Sequence, residues 1–379
     1  MQRMNKRISD AIDLLRFPLI VGVVLIHAYS TQVPMTGGQI LGADSGYTNA
    51  FTQNLISQVF ARIAVPMFFL ISGYFLFGQK ELTFGLIKEK WKKRIHSLFI
   101  PYLIWNFLVL LVQIIGQSTP KIERFFSGRK WNIGTMTPMD YLDALIGFSN
   151  GPINFPLWFI RDLMLLVILS PLLYLLINRS KGTILALLSL LWIGVFNVNL
   201  FVSSEALLFF SVGLFLAQIK SIFLPSRKVT WILCIFYLML SLLEAHSLST
   251  QNSMPLLHEF NILLGCVAVF AFSINIDGAG RMASLLRSLA ASSFFLYVAH
   301  GSLLQIFKKI SYVLLDPHDD LLFIGIYFFA PAATIALLVA VYFGVLRFLP
   351  MAIQEVLLGS RKPKHNKAME ATAYSRASS

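Results

Sequence analysis

The feature that most constrains this chain is a series of apolar runs, each about as long as a helix must be to cross a bilayer. A hydrocarbon core about 30 Å thick takes roughly 20 mostly apolar residues in helical conformation. Runs of that kind lie near 13–33, 57–78, 96–117, 156–177, 182–200, 204–220, 229–245, 256–275, 289–310 and 321–348. Lipid offers no partner to an open backbone N–H or C=O, so each run is expected to be helical. The expected fold is all-α, a polytopic transmembrane helix bundle of about ten spans. The stretch 182–220 is the least regular, interrupted at Asn197, Asn199 and Ser203-Ser204-Glu205, and a re-entrant hairpin is the alternative there. Apolar residues are 56% of the 379 and charged residues only 13%, against about 25% charged in soluble proteins. No internal repeat or linker divides the chain, so 1–350 reads as a single transmembrane domain and 351–379 as a polar, disordered tail.

Lys and Arg are retained on the cytoplasmic side of a membrane, which orients the bundle. With ten spans, 22 of the 31 Lys and Arg fall on one face, including the run from Lys88 to Arg94 and the C-terminal tail. Six fall opposite: Lys121, Arg124, Arg129, Lys130, Lys308 and Lys309. Both termini are therefore expected in the cytoplasm. The net charge of +13 reads as an orientation signal with attraction to anionic membrane lipid. Nucleic acid is not an expected partner, because no folded domain presents a basic face. The N-terminal run does not read as a cleaved signal peptide: it is too long, carries Arg16 and Pro18, and lacks a small-residue exit after His27. Cys234 and Cys266 fall inside apolar runs and read as packing residues, and no metal site is expected.

Polar groups inside spans are expensive and mark function by default. The first run holds Asp13-Leu-Leu-Arg16 and, eleven residues after Arg16, His27. Eleven residues make close to three turns, so Arg16 and His27 share a helix face about 16 Å apart, with Asp13 one turn from Arg16. A guanidinium suits phosphate recognition, and an imidazole moves protons near neutral pH. The alternative is that Arg16 snorkels to headgroups and His27 caps the span at the interface.

Five segments in order then resemble one family. Asp13-Leu-Leu-Arg16 with His27 is similar to the first-span signature of the acyltransferase family 3 membrane proteins. Pro66-Met-Phe-Phe-Leu-Ile-Ser72-Gly73-Tyr74 is similar to their second span, and Lys92-Lys93-Arg94-Ile-His96-Ser97 to their basic loop before the third. Phe155-Pro-Leu-Trp158-Phe-Ile-Arg161-Asp162 and Ser293-Phe-Phe-Leu-Tyr297-Val-Ala-His300 resemble later segments. Together they cover roughly 9–305, and the likeness is closest to members that O-acetylate surface polysaccharides or their lipid-linked precursors.

The resemblance implies a bacterial cytoplasmic (inner) membrane enzyme that takes an acyl group, usually acetyl, from acyl-CoA. The acceptor would be a hydroxyl on a glycan or lipid-linked sugar. Acetyl-CoA, or another acyl-CoA, is then a donor substrate and no bound cofactor is expected. His27 would carry the transfer chemistry. Arg16, Asp13, Arg94 and Lys93 would serve acyl-CoA binding. The second arginine of the family's Arg-x-x-Arg step is absent, since the chain reads Arg94-Ile-His96-Ser97. No appended hydrolase-like domain is seen, so the acceptor would come to the membrane domain itself.

Trp158, Arg161, Asp162, Glu259 and His300 are candidates for an acceptor pocket near His27. Each has a structural alternative: Arg161 paired with Glu259 or Asp162, Trp158 in an interfacial belt, His300 as a hydrogen-bonded core residue. The rival function is a secondary transporter or flippase. It is less favoured because repeated halves and paired interrupted helices are absent.

Overall fold

A computed structural model describes residues 2–359 apart from 31, 35–39, 42–45, 78–81, 127–130, 181, 197, 199, 220–224, 253, 277 and 279. The helices are α1 (Gln2–Ala28), α2 (Tyr47–Gln53), α3 (Ala64–Phe77), α4 (Phe84–Arg94), α5 (Ile100–Ser118), α6 (Glu123–Phe126), α7 (Pro138–Ile146) and α8 (Trp158–Ser180). They continue with α9 (Thr183–Trp192), α10 (Ser204–Gln218), α11 (Arg227–Ser249), α12 (Pro255–Asn275), α13 (Arg281–Ala290), α14 (Ser293–Leu315), α15 (Asp320–Gly344) and α16 (Met351–Leu358). The one departure from all-helical structure among the described residues is a two-residue antiparallel ladder, Val33–Pro34 with Ile40–Leu41.

Each of the ten apolar runs contains a helix, though in the run 182–200 it ends at Trp192, and the ten are not equivalent. Seven stretches among the described residues are long and apolar enough to cross a membrane: Lys6–Ala28, Tyr47–Phe77, Phe84–Ser118, Phe155–Ser180, Arg227–Ser249, Pro255–Asn275 and Asp320–Gly344. The pair α13 and α14, bent by 67°, is an eighth if the two are taken as one broken span rather than a re-entrant loop. The remaining two, α9 and α10, have 10 and 15 residues. At 1.5 Å per residue they reach about 15 and 22 Å, short of a hydrocarbon core. They are the two runs of the stretch that the sequence marks as least regular.

Two long stretches change helical pitch partway. A π-helical segment at Asn54–Phe60 leads through a 3₁₀ turn at Ala61–Ile63 into α3, and another at Ile95–Phe99 joins α4 to α5. Such turns rotate the side chains beyond them and are common where a helix carries function. No sequence feature announces either one.

Two expectations are corrected. Lys308 and Lys309, counted among the cations of the outer face, lie inside α14 and are buried. The segment 351–359, expected as part of a disordered tail, begins with α16. That helix docks by the Trp105 Nε1–H donated to Leu357 O at 2.9 Å and by burial of Leu358. The tail from Ser360 lies outside the described residues. Cys266 is buried in the core and Cys234 packs against α12, both as free thiols.

The tightest helix pair is α3 with α10. A Cβ on Gly73 would overlap the carbonyl oxygen of Phe210, and one on Gly213 would overlap that of Leu70. The two backbones therefore touch, as small residues allow in membrane bundles, where dispersion rather than water exclusion drives association. Substituting Gly213→Leu should force α10 off α3 and destabilise the bundle by about 1–3 kcal/mol. Gly85→Ala, where nothing lies within 4 Å, should be silent. Thermal unfolding of the two variants in detergent checks the contrast.

Candidate functional site

The last carbonyls of a helix have no partner within it. At the end of α1 they are bound by side chains from other elements. Ser57 Oγ donates to Leu25 O at 2.6 Å, and Tyr327 OH in turn donates to Ser57 Oγ at 2.7 Å. Lys308 Nζ donates to Ala28 O at 2.8 Å, and Tyr312 OH to Ser30 O at 3.3 Å. Ser30 N–H donates to Gln53 Oε1 at 3.2 Å. The turn that carries His27 is thus held by the π-helical segment and α2 on one side and by α14 and α15 on the other.

His27 is half-buried, with the Phe155 ring edge-on at 5.6 Å and the His300 ring at 5.3 Å between centroids. His300 is fully buried in α14. Its Nδ1 lies 3.1 Å from Leu296 O and 2.8 Å from Tyr297 O. Carbonyls only accept, so Nδ1 carries the hydrogen and Nε2 of the neutral ring holds a lone pair. That Nε2 is buried and has no partner among the described residues.

Arg62 lies in the 3₁₀ turn, its guanidinium held on Gln58 Oε1 at 2.6 and 3.0 Å. It is within electrostatic reach of His27 and of Glu205, and Glu205 is within reach of His258. His258 Nδ1 sits 2.5 Å from Glu244 Oε1, whose other oxygen accepts from Asn261 Nδ2 at 2.6 Å. Glu259 Oε2 is buried without a partner among the described residues. Among the described residues no three His, Cys, Asp or Glu side chains are grouped to hold a metal ion.

The other expected pocket residues are tied into the framework. Arg161 pairs with Asp162 at 2.9 Å and not with Glu259, donates to Gly147 O at 2.7 Å, and stacks over Phe201 at 5.4 Å. Asp162 is buried and accepts from Ser203 N–H at 3.2 Å, which fixes the start of α10 and hence Glu205. Asn106 and Asn154 anchor the segment leading to Phe155: Asn154 N–H donates to Asn106 Oδ1 at 3.1 Å, and Asn154 Nδ2 to Val298 O at 2.8 Å. Trp158 packs against Phe69 within the core.

Toward the start of α1, Arg16 pairs with Asp13 at 3.0 Å while its side chain stays 48% exposed, open to a second ligand. Lys93 is exposed and pairs with Glu89 at 2.6 Å, and Arg94 is partly buried at the end of α4. Arg16 and His27 lie in one continuous helix, eleven residues and close to three turns apart, as the sequence predicts. The sequence reading passed over Arg62, Glu205 and Lys308 as site residues. The first is a lone cation in an apolar run and the second an acid just after a Ser cap, signals too common to single out.

A family model for an acyltransferase domain, that of acyltransferase family 3, matches residues 9–345. The chain is 29% identical over 372 residues to the succinoglycan biosynthesis protein ExoH of Rhizobium meliloti (strain 1021), covering 94% of each chain. No solved structure matches.

Lys308→Met keeps length and apolar packing but leaves Ala28 O without a donor. Opening of the α1 end should become easier by about 1–3 kcal/mol. Hydrogen exchange over residues 27–30, read by mass spectrometry, should quicken accordingly, while exchange in α11 stays unchanged.

Proposed function

The chain belongs to acyltransferase family 3, and from that premise we propose that it transfers an acyl group, acetyl in the first instance, from acyl-CoA at the cytoplasmic face to a hydroxyl of a cell-surface or lipid-linked carbohydrate. It is a multi-pass membrane acyltransferase, and the name of its relative points to a polysaccharide as the setting. The observation that carries the reading is the placement of His27. Its backbone turn is fixed by side chains from neighbouring helices and its ring abuts a second imidazole. Arg16 stands half-exposed on the same helix face.

A sugar hydroxyl is a weak nucleophile at neutral pH. His27 removes its proton as the oxygen attacks the thioester carbon, a contribution of roughly 10²–10⁴-fold. Arg16, held by Asp13, takes the phosphates of CoA, with Arg94 and Lys93 as further cations at that face. Arg62, Glu205, Glu259 and His258 line the approach of the acceptor. Arg161 and Asp162 shape that approach by holding the start of α10 in place, and Trp158 by packing on Phe69.

Membranes carrying the full chain should transfer radiolabelled acetyl from acetyl-CoA to extractable glycan. His27→Ala and His27→Gln should each lose at least about 10²-fold of this activity with acetyl-CoA binding intact. Arg16→Ala should raise the KM for acetyl-CoA and Arg16→Lys should raise it less, because a point charge replaces a fork. Wild-type transfer that survives His27→Ala in full would remove His27 from the chemistry.

The membrane is proposed to be the bacterial inner one, with α9 and α10 as a re-entrant pair among the longer crossings and both termini in the cytoplasm. Burial of Lys308 and Lys309 removes two of the six cations assigned to the outer face, which sharpens the charge bias behind that orientation. Reporters fused after Ser360 or between 82 and 94 should read cytoplasmic, and one at 250–252 should read outside. An outside reading at the C-terminus would overturn the model.

A further inference from the structure

We propose that His300 Nε2 accepts an N–H from His27 during transfer, fixing which nitrogen of His27 is the base and stabilising the imidazolium that forms when the other nitrogen takes the acceptor's proton. The proposal rests on His27 being the base, as argued above.

A histidine base needs its second nitrogen held, because a ring free to change tautomer presents the wrong atom part of the time. Neither nitrogen of His27 is hydrogen-bonded among the described residues, and no carboxylate pairs with it there. The neighbour that remains is His300. Its own tautomer is set by backbone: two carbonyls take the hydrogen on Nδ1, which leaves Nε2 as an acceptor. An unpartnered acceptor in a fully buried ring is costly to keep, and this one lies beside the imidazole that lacks an acceptor.

The spacing fits. Two imidazoles joined nitrogen to nitrogen have centroids separated by a hydrogen bond of about 2.9 Å plus two ring radii of about 1.15 Å each, close to 5.2 Å. The observed separation is 5.3 Å, with the rings inclined by 35°. Bringing an N–H of His27 onto Nε2 therefore needs no translation of either helix. Rotation about the Cβ–Cγ bond suffices, and that torsion is broad for histidine.

His300 itself is fixed. Tyr297 OH donates to Pro156 O, Asn154 donates to Val298 O, and Gly301 packs so closely on Pro156 that a Cβ there would crowd the ring at 2.9 Å. During transfer the acceptor O–H bond breaks as its oxygen bonds the acyl carbon, and the proton passes to His27. The C–S bond breaks, and the CoA sulfur then takes that proton. While His27 is an imidazolium near the Arg62 cation, a neutral nitrogen that shares its hydrogen lowers the energy of that state. A carboxylate serves this end in other histidine sites.

The test compares His300→Phe, His300→Gln and His300→Asn in membranes carrying the full chain, with radiolabelled acetyl-CoA and the endogenous glycan. Phe fills the space without an acceptor. The Gln amide oxygen falls near the Nε2 position and the Asn oxygen near Nδ1. Turnover at saturating acetyl-CoA should fall roughly 10²-fold in Phe, the lower end of what general-base catalysis supplies. It should recover in part in Gln and less in Asn, with the KM for acetyl-CoA unchanged throughout. A packing role predicts the opposite order, with the apolar isostere tolerated best, so Phe equal to or better than Gln overturns the proposal. A rise in KM alone also overturns it. If His300→Phe fails to insert, Gln above Asn decides in favour and Asn equal to Gln decides against. Wild-type transfer and its loss in His27→Ala are measured first. Their failure refutes the functional reading itself, whereas a wrong order among the His300 variants refutes only the pairing.

Discussion

A helix that ends inside a bilayer bundle cannot hand its last carbonyls to water, and the end of α1 is built around that constraint. In lipid each unpaired group costs far more than a made hydrogen bond returns. The donors to Leu25 O, Ala28 O and Ser30 O come from the π-helical segment and from α14, with α15 behind Ser57. These elements must therefore converge on one turn of α1, and His27 lies within that turn. The buried Lys308 is explained by the same need. Its ammonium sits at the negative end of the α1 dipole, where a cation is favoured, and its location follows from a backbone oxygen rather than from an acidic partner.

The polar groups of the interior fall into two kinds, separated by whether their bonds are complete. Arg161 and Asp162 satisfy each other and spend their remaining valences on Gly147 O and Ser203 N–H. They bind a loop and a helix start to α8, and a group so occupied has little left for a substrate. His27, His300 Nε2 and Glu259 Oε2 have valences open. In a medium that punishes unpaired polar atoms, two imidazoles with open valences in contact stand out among the buried polar groups.

The helices were legible in the sequence because burial in lipid demands long apolar runs, and nothing else in this chain makes them. The Arg16–Asp13 pair was legible because it depends only on the local i, i+3 geometry of one helix. The neighbours of His27 were not. His300 was named as a pocket candidate because it is a polar group inside a span, but periodicity does not say that α1 lies against its face of α14 or that the two rings meet. Lys308 and Lys309 read as outer-face cations because two adjacent lysines at the edge of an apolar run usually mark a boundary. Only the carbonyl waiting at Ala28 explains why Lys308 continues into the bundle. Arg62 and Glu205 escaped for the same reason, since each gains meaning from the other across two helices.

The two short helices explain how a polar site can exist at this place at all. A helix that spans the bilayer starts and ends at its surfaces, whereas α10, with 15 residues, leaves part of the thickness to other structure. Its N-terminus is capped by Ser203 Oγ, which accepts from Ala206 N–H at 3.1 Å, while Asp162 takes the Ser203 N–H. Those bonds let the helix begin among other protein elements rather than in a headgroup layer. Its first turn carries Glu205, at the positive end of the helix dipole, where a carboxylate is favoured. The close backbone contact of Gly213 with α3 keeps α10 in register with the stretch that bears Arg62. Glu205 and Arg62 are thus brought within electrostatic reach of each other by a helix shorter than the hydrocarbon core is thick.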